Sequence, residues 1–156
     1  MNTRLKALAL SPVFALVMAS AVSGCGDEAK VVPPVERVTI EAIEDGTCAT
    51  FVDDNAFVRE FEKSLCGTPH AVEVAGRYTL TDAEYPGASA LRLDTQLACR
   101  PIFEAFVGTS YFASEYDLRT VSPSPASWSV GDRTVLCLVV SKDGSLLTSL
   151  ARDSGR

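Results

Sequence analysis

The nine residues from Cys66 to Val74, CGTPHAVEV, hold the chain's single histidine, with a cysteine four positions before it and a glutamate three after. Those residue types could do chemistry of two kinds. A thiolate beside an oriented imidazole is a nucleophile. A thiolate, an imidazole and a carboxylate are also donors that zinc takes. Neither use is the expectation here. Cys66-x3-His70 lacks a second matching pair to complete a zinc site, and Pro69 interrupts the local backbone. If 71–74 is extended, His70 and Glu73 project to opposite faces, because side chains alternate along a strand. His70 is therefore expected to cap or hydrogen-bond a tight turn. His70, Glu73 and Arg133 are kept as candidate ligand contacts.

The rest of the chain adds no catalytic constellation. There is no Gly-x-Ser-x-Gly elbow, no glycine-rich phosphate loop and no Cys-x-x-Cys redox pair. Glu44-Asp45 and Asp53-Asp54 read as solvated turns, and Trp128, the one tryptophan, as core packing. The expectation is a non-enzymatic protein with no catalytic residue, no metal and no cofactor.

The N-terminus shapes how the cysteines are read. Arg4 and Lys6 precede an uncharged apolar run of fifteen residues, Ala7 to Ala21. A spanning helix needs about twenty, so a cleaved signal peptide over 1–24 is the better reading. Val22-Ser23-Gly24-Cys25 resembles the lipobox of bacterial lipoproteins, in which the cysteine thiol is alkylated and becomes the first mature residue. Acyl chains such as palmitate gain roughly 0.8 kcal/mol per buried methylene, and two anchor where one binds only marginally. A chain lipidated at Cys25 would be held at the extracytoplasmic face of the cell membrane.

Cleavage would leave 132 residues, enough for one domain with a core. It removes two cations and no acid, so the formal charge passes from −6 to −8. An acidic domain without a basic cluster is a poor ligand for nucleic acid. Four cysteines remain besides Cys25: Cys48, Cys66, Cys99 and Cys137. In an exported chain an even number reads as two disulfides. Three connectivities exist, and Cys48–Cys66 with Cys99–Cys137 is favoured because each joins neighbouring segments. Chain entropy assigns roughly 3 kcal/mol to the shorter loop and roughly 4 to the longer.

Residues 25–44, charged and carrying Pro33-Pro34, read as the lipidated cysteine and a flexible tether, with Thr39-Ile40 and Ile43 able to pack on the domain. The domain is expected over 45–150 and a C-terminal tail over 151–156. Residues 47–52 suit a short strand. Residues 56–65 are ambiguous, since Phe57, Phe61 and Leu65 fit a helix face while alternate positions fit a strand. Residues 71–80 read as a strand with Val72, Val74, Tyr78 and Leu80 on one face and Gly76 as a bulge. Residues 89–107 carry the main helical period, through Leu93, Leu97, Ala98, Ile102, Ala105 and Phe106. Pro101 predicts a kink or two consecutive helices, and Gly108 the end. Residues 114–121 alternate as a strand, and SPSPAS (122–127) reads as a loop. RTVLCLVV (133–140), apolar on both faces, reads as a central strand, followed by a SKDG turn and a hairpin partner over 145–150. The fold class is α+β: a small, mainly antiparallel sheet with one helical segment on a face and two disulfides, Cys99–Cys137 joining the layers.

In that order, the landmarks resemble the septum-formation domain of actinobacterial envelope proteins. They are Asp45-Gly46-Thr47-Cys48, Cys66-x3-His70-x2-Glu73-Val74, Tyr85-Pro86-Gly87, Cys99 and Phe106-Val107-Gly108. The tail adds Pro125-x2-Trp128-x2-Gly131-Asp132-Arg133-x3-Cys137 and Ser145-Leu146-Leu147-Thr148-Ser149-Leu150. The family more often reads Gly-Asp-Cys at the first cysteine, so no role of an acid directly before Cys48 is carried over. The resemblance implies a disulfide-bonded extracytoplasmic domain linked to septum formation, favours strand for the end of 56–65, and brings no catalytic residue or cofactor. The expected partners are the membrane, through Cys25, and an envelope or division protein or wall component. The alternative is an extracytoplasmic small-molecule or peptide-binding lipoprotein.

Overall fold

A computed structural model describes residues 35–53 and 60–156. The expected signal segment, the lipidation site Cys25 and residues 26–34 of the expected tether lie outside the described residues, as do 54–59. Among the described residues, six strands form one antiparallel sheet: β1 (Arg37–Thr39), β2 (Cys48–Phe51), β3 (Glu60–Ser64), β4 (Val72–Thr79), β5 (Tyr116–Val121) and β6 (Thr134–Ser141). Their order across the sheet is β1-β3-β2-β4-β6-β5. The described helices, α1 (Ala88–Val107) and α2 (Pro125–Ser129), join the sheet in an α+β fold. No helix among the described residues is long and apolar enough to cross a membrane.

β6 is apolar on both sides because both sides are covered. Val135, Cys137 and Val139 join the layer that contains Cys99, Phe103 and Phe106 of α1. Leu136 and Leu138 join Ile40, Ile43, Ala49, Phe61, Val72, Val74 and Val121 on the other face. β4 contributes to both layers through its bulge. The register slips between Val74 and Gly76, so the alternation inverts there. Val72 and Val74 point to the second layer, whereas Tyr78 and Leu80 pack with α1. The four do not share a face as the alternation alone predicts. Gly76 lets Ile102 of α1 pack against the sheet backbone: a Cβ there would lie 2.8 Å from Ile102 Cγ2.

α1 is one helix through Pro101 and ends at Gly108, whose N–H donates to the Glu104 carbonyl. Pro101 lies on the exposed side, where the carbonyl it leaves unpaired can be hydrated. The buried stripe is Leu91, Thr95, Cys99, Phe103, Phe106 and Val107. Leu93 and Leu97, expected in the core, are 59% and 53% exposed. The Cys99–Cys137 disulfide (Cα–Cα 5.4 Å) and Phe103 set the rotation of the helix, and positions 93 and 97 fall on its far side.

Three segments depart from the sequence reading. The second layer is closed by Ile40 and Ile43, and β1 pairs with β3, so the end of the expected tether, residues 37–43, packs on the domain, with Arg37–Thr39 in the sheet. The serine-proline segment is not simply a loop: Ser124 and Ser127 cap each other reciprocally and start α2, with Pro125 at its first turn. No hairpin follows β6, because β4 and β5 already occupy both of its edges. The chain instead crosses to pair Leu147 with His70. Residues 151–156 then dock on α1: Asp153 N–H donates to Phe106 O and Gly155 N–H to Val107 O, satisfying carbonyls the helix end leaves open.

Candidate functional site

The sheet brings the histidine, the glutamate and a cysteine into one buried corner. β2 pairs with β4 so that Cys48 lies opposite Glu73, and the Cys48–Cys66 disulfide (Cα–Cα 5.2 Å) folds the end of β3 over them. His70 exchanges two backbone hydrogen bonds with Leu147, at 3.0 and 2.8 Å. The bend at Ala71 breaks the strand's alternation, so His70 and Glu73 point to the same place and not to opposite faces. Their atoms His70 Nε2 and Glu73 Oε1 are 3.3 Å apart, and both side chains have no exposed surface. Cys48 Sγ, a ring nitrogen of His70 and a carboxylate oxygen of Glu73 all lie within 4.8 Å of one another.

The hydrogen bonds define the protons. His70 Nδ1 is 2.7 Å from the Thr68 carbonyl, which can only accept, so Nδ1 carries hydrogen. Nε2, the other ring nitrogen, lies 3.3 Å from Glu73 Oε1. Glu73 also accepts from the Ala151 N–H at 2.6 Å and the Arg152 N–H at 3.3 Å. The pair therefore pins the C-terminal segment, and the turn role expected of His70 is met by its bond to Thr68. Asp45-Gly46-Thr47 closes the same corner: Gly46 has φ +84°, donates to Val74 O, and leaves no room for a Cβ against the Arg152 guanidinium.

Arg133 belongs to a second corner. Its guanidinium lies 3.7 Å from the Trp128 ring centroid and donates to the carbonyls of Asp82, Trp128 and Asp132. Tyr85 meets Trp128 edge to face at 5.5 Å. β4 and β6 run antiparallel from Glu73↔Val139 to Thr79↔Thr134, so this corner lies roughly 20 Å from His70. The three candidate ligand contacts do not converge, and His70 and Glu73 are closed to solvent.

The accessible features lie elsewhere. A groove of about 410 Å³ opens on the face away from α1, between Phe51, Arg119, Ser141 and Ser145. Arg119 lies 4.1 Å from the Phe51 ring centroid across it. At its rim Asp143 accepts from Ser141 Oγ at 2.6 Å and the Ser145 N–H at 2.9 Å. The Ser141 and Ser145 hydroxyls, with the Ser145 N–H, hold its carboxyl well below the usual range. A second groove of about 240 Å³ lies between Tyr85, Leu91 and Arg92 and the Thr120–Pro123 end of β5. On the outer side of α1, Phe112 is 78% exposed beneath Arg100. The Tyr111 phenol beside it is held above its usual range, first by its 2.7 Å bond to Asp117 and then by burial.

The expected bond to Cys66 brings Cys48 to the corner, whereas Ala151 and Arg152 are corner residues that the sequence does not assign to it. Their approach depends on β2–β4 pairing and on the path of the last residues, neither of which leaves a periodic signal.

Fold and corners together define a class: a disulfide-stapled α+β domain with a buried polar corner at one end of its central strand pair and a half-buried Arg–Trp corner at the other. A model of the septum-formation family matches residues 45–154, most of the chain, and the chain belongs to that family. The matched range takes in Ala151 and Arg152, whose amides Glu73 holds. Neither a curated protein nor a solved structure matches the chain. Membership ties the protein to cell division and the cell envelope.

Proposed function

We propose that the protein is a membrane-anchored cell-envelope lipoprotein, lipidated at Cys25, whose domain binds a protein or wall component at sites of septum formation without catalysing a reaction. The observation that carries this reading is the commitment of His70 and Glu73. Both are buried and bonded to the fold's own backbone, while the open grooves and the exposed Leu93, Leu97 and Phe112 offer binding surface. In-cell cross-linking of the lipidated protein, followed by partner identification, tests it. Enrichment at division sites with a recurrent envelope partner is expected; uniform distribution without one overturns the septal reading. Cys25→Ser is expected to lose its lipid label and leave the membrane fraction, and persistence there overturns the anchor.

The groove beside Phe51 and Arg119 supports the alternative, an extracytoplasmic small-molecule or peptide-binding lipoprotein. It joins an aromatic face, a cation and two serine hydroxyls in a concavity of ligand size. Thermal shifts with envelope ligands, without a cross-linked protein, would favour it.

A further inference from the structure

We propose that reduction of the Cys48–Cys66 disulfide converts the buried corner into a site for a zinc-class divalent cation, held by Cys48, Cys66, His70 and Glu73. The donors are already gathered. Cys48 Sγ, the His70 ring nitrogen and the Glu73 oxygen lie within 4.8 Å of one another, and Cys66 Sγ is bonded to Cys48. Ligand atoms around tetrahedral zinc stand roughly 3.5 Å apart, so side-chain rotation of about an ångström closes the set. His70 is already oriented as a metal ligand is, its Nδ1–H donating to the Thr68 carbonyl and its Nε2 turned inward. The corner is dry, which strengthens thiolate–metal bonding.

Reduction is selective by access. Cys66 is half-buried, whereas Cys99 and Cys137 have no exposed surface. A dithiol or phosphine reductant attacks Cys66 Sγ, and Cys48 leaves as the inner thiolate beside His70. The disulfide takes two electrons and two protons, and the reductant becomes a cyclic disulfide or a phosphine oxide, the latter taking its oxygen from water. A divalent cation then displaces the two thiol protons and takes lone pairs of His70 Nε2 and a Glu73 oxygen. Glu73 retains lone pairs for the Ala151 and Arg152 amides, so the C-terminal segment stays in place.

Cobalt(II) titration of the full chain, oxidised and phosphine-reduced, tests this. The reduced protein is expected to bind one cobalt with thiolate charge-transfer and tetrahedral d–d bands that zinc abolishes; the oxidised protein is expected to show none. His70→Ala and Glu73→Gln should each weaken binding at least about tenfold, the smaller loss seen when even a ligand's supporting partner is removed. Zinc should also raise the melting temperature of the reduced wild type, since it binds the folded corner. No stoichiometric cobalt binding overturns the proposal. So does wild-type affinity in His70→Ala, which would mean that thiols of an opened chain hold the metal. Should the variants fail to fold, an unchanged or lowered melting temperature of the reduced wild type with zinc overturns it equally.

Discussion

The Tyr78 hydroxyl is buried with no hydrogen-bond partner, on the strand side that faces α1. A buried hydroxyl without a partner carries a desolvation cost that its ring does not. Tyr78→Phe is therefore expected to leave stability unchanged or to raise it by up to about 1 kcal/mol at pH 7, measured by urea unfolding. Burial, with the Asp94 carboxylate adding to it, pushes this phenol up to about 12. The folded chain then holds the proton at pH values where the unfolded chain, titrating near 10, has released it. Tyr78's share of stability is thus full below pH 10 and lost as pH rises toward 12. The Phe variant should show a shallower loss over that window, and an equal loss in both proteins would refute the assignment. Glu73 shows the opposite arrangement, a buried polar group with its acceptor sites used. That contrast was not legible in the sequence, where both residues are simply alternate positions of one strand.

At the scale of elements, 71–80 was legible because local alternation survives wherever one face is dry, and 133–140 because a short run apolar on both faces marks a central strand. Gly76 was legible as a bulge, but its effect on the faces required the register. A methyl at 76 presses on Ile102 at 2.8 Å, and overpacking of this kind costs about 1–3 kcal/mol. Gly76→Ala is expected to lose that much, and Ile102→Ala in the same chain to return part of it; additive losses in a double-mutant cycle would refute the contact. The rotation of α1 was not legible, since 93 and 97 are as apolar as 91 and 103 and only the sheet distinguishes them. The start of α2 was present in the sequence as Ser124-Pro125, masked by its resemblance to a serine-proline linker. Ser124 Oγ accepts from the Ser127 N–H at 3.0 Å. Ser124→Ala should cost about 0.5–2 kcal/mol, and Ser124→Asp much less, because an aspartate accepts the same bond. Equal losses would place the effect elsewhere than in the cap.

Across the whole molecule, the last six residues do more than trail from the domain. Ala151 is fully buried and its N–H, with that of Arg152, occupies Glu73. Asp153 and Gly155 satisfy the final carbonyls of α1, and the Arg156 carbonyl accepts from Ser114 Oγ ahead of β5. One short segment therefore ties the disulfide corner, the helix end and the approach to β5, elements far apart in the sequence. Its loss is costly because it strips Glu73 of both backbone donors. Each hydrogen bond contributes about 0.5–1.5 kcal/mol, and a buried acceptor left unpaired costs about 1–3 kcal/mol, more than the bond contributed. Truncation after Leu150 is expected to remove about 3–5 kcal/mol, a large share of a typical 5–15 kcal/mol. Adding Glu73→Leu to the truncated chain should restore part of the loss, because the orphaned carboxylate is then gone. Urea unfolding of the three chains measures both steps. A truncation loss below about 1 kcal/mol would mean that the tail only rests on the domain, whereas a full loss with no recovery would place its role at the helix carbonyls and not at Glu73.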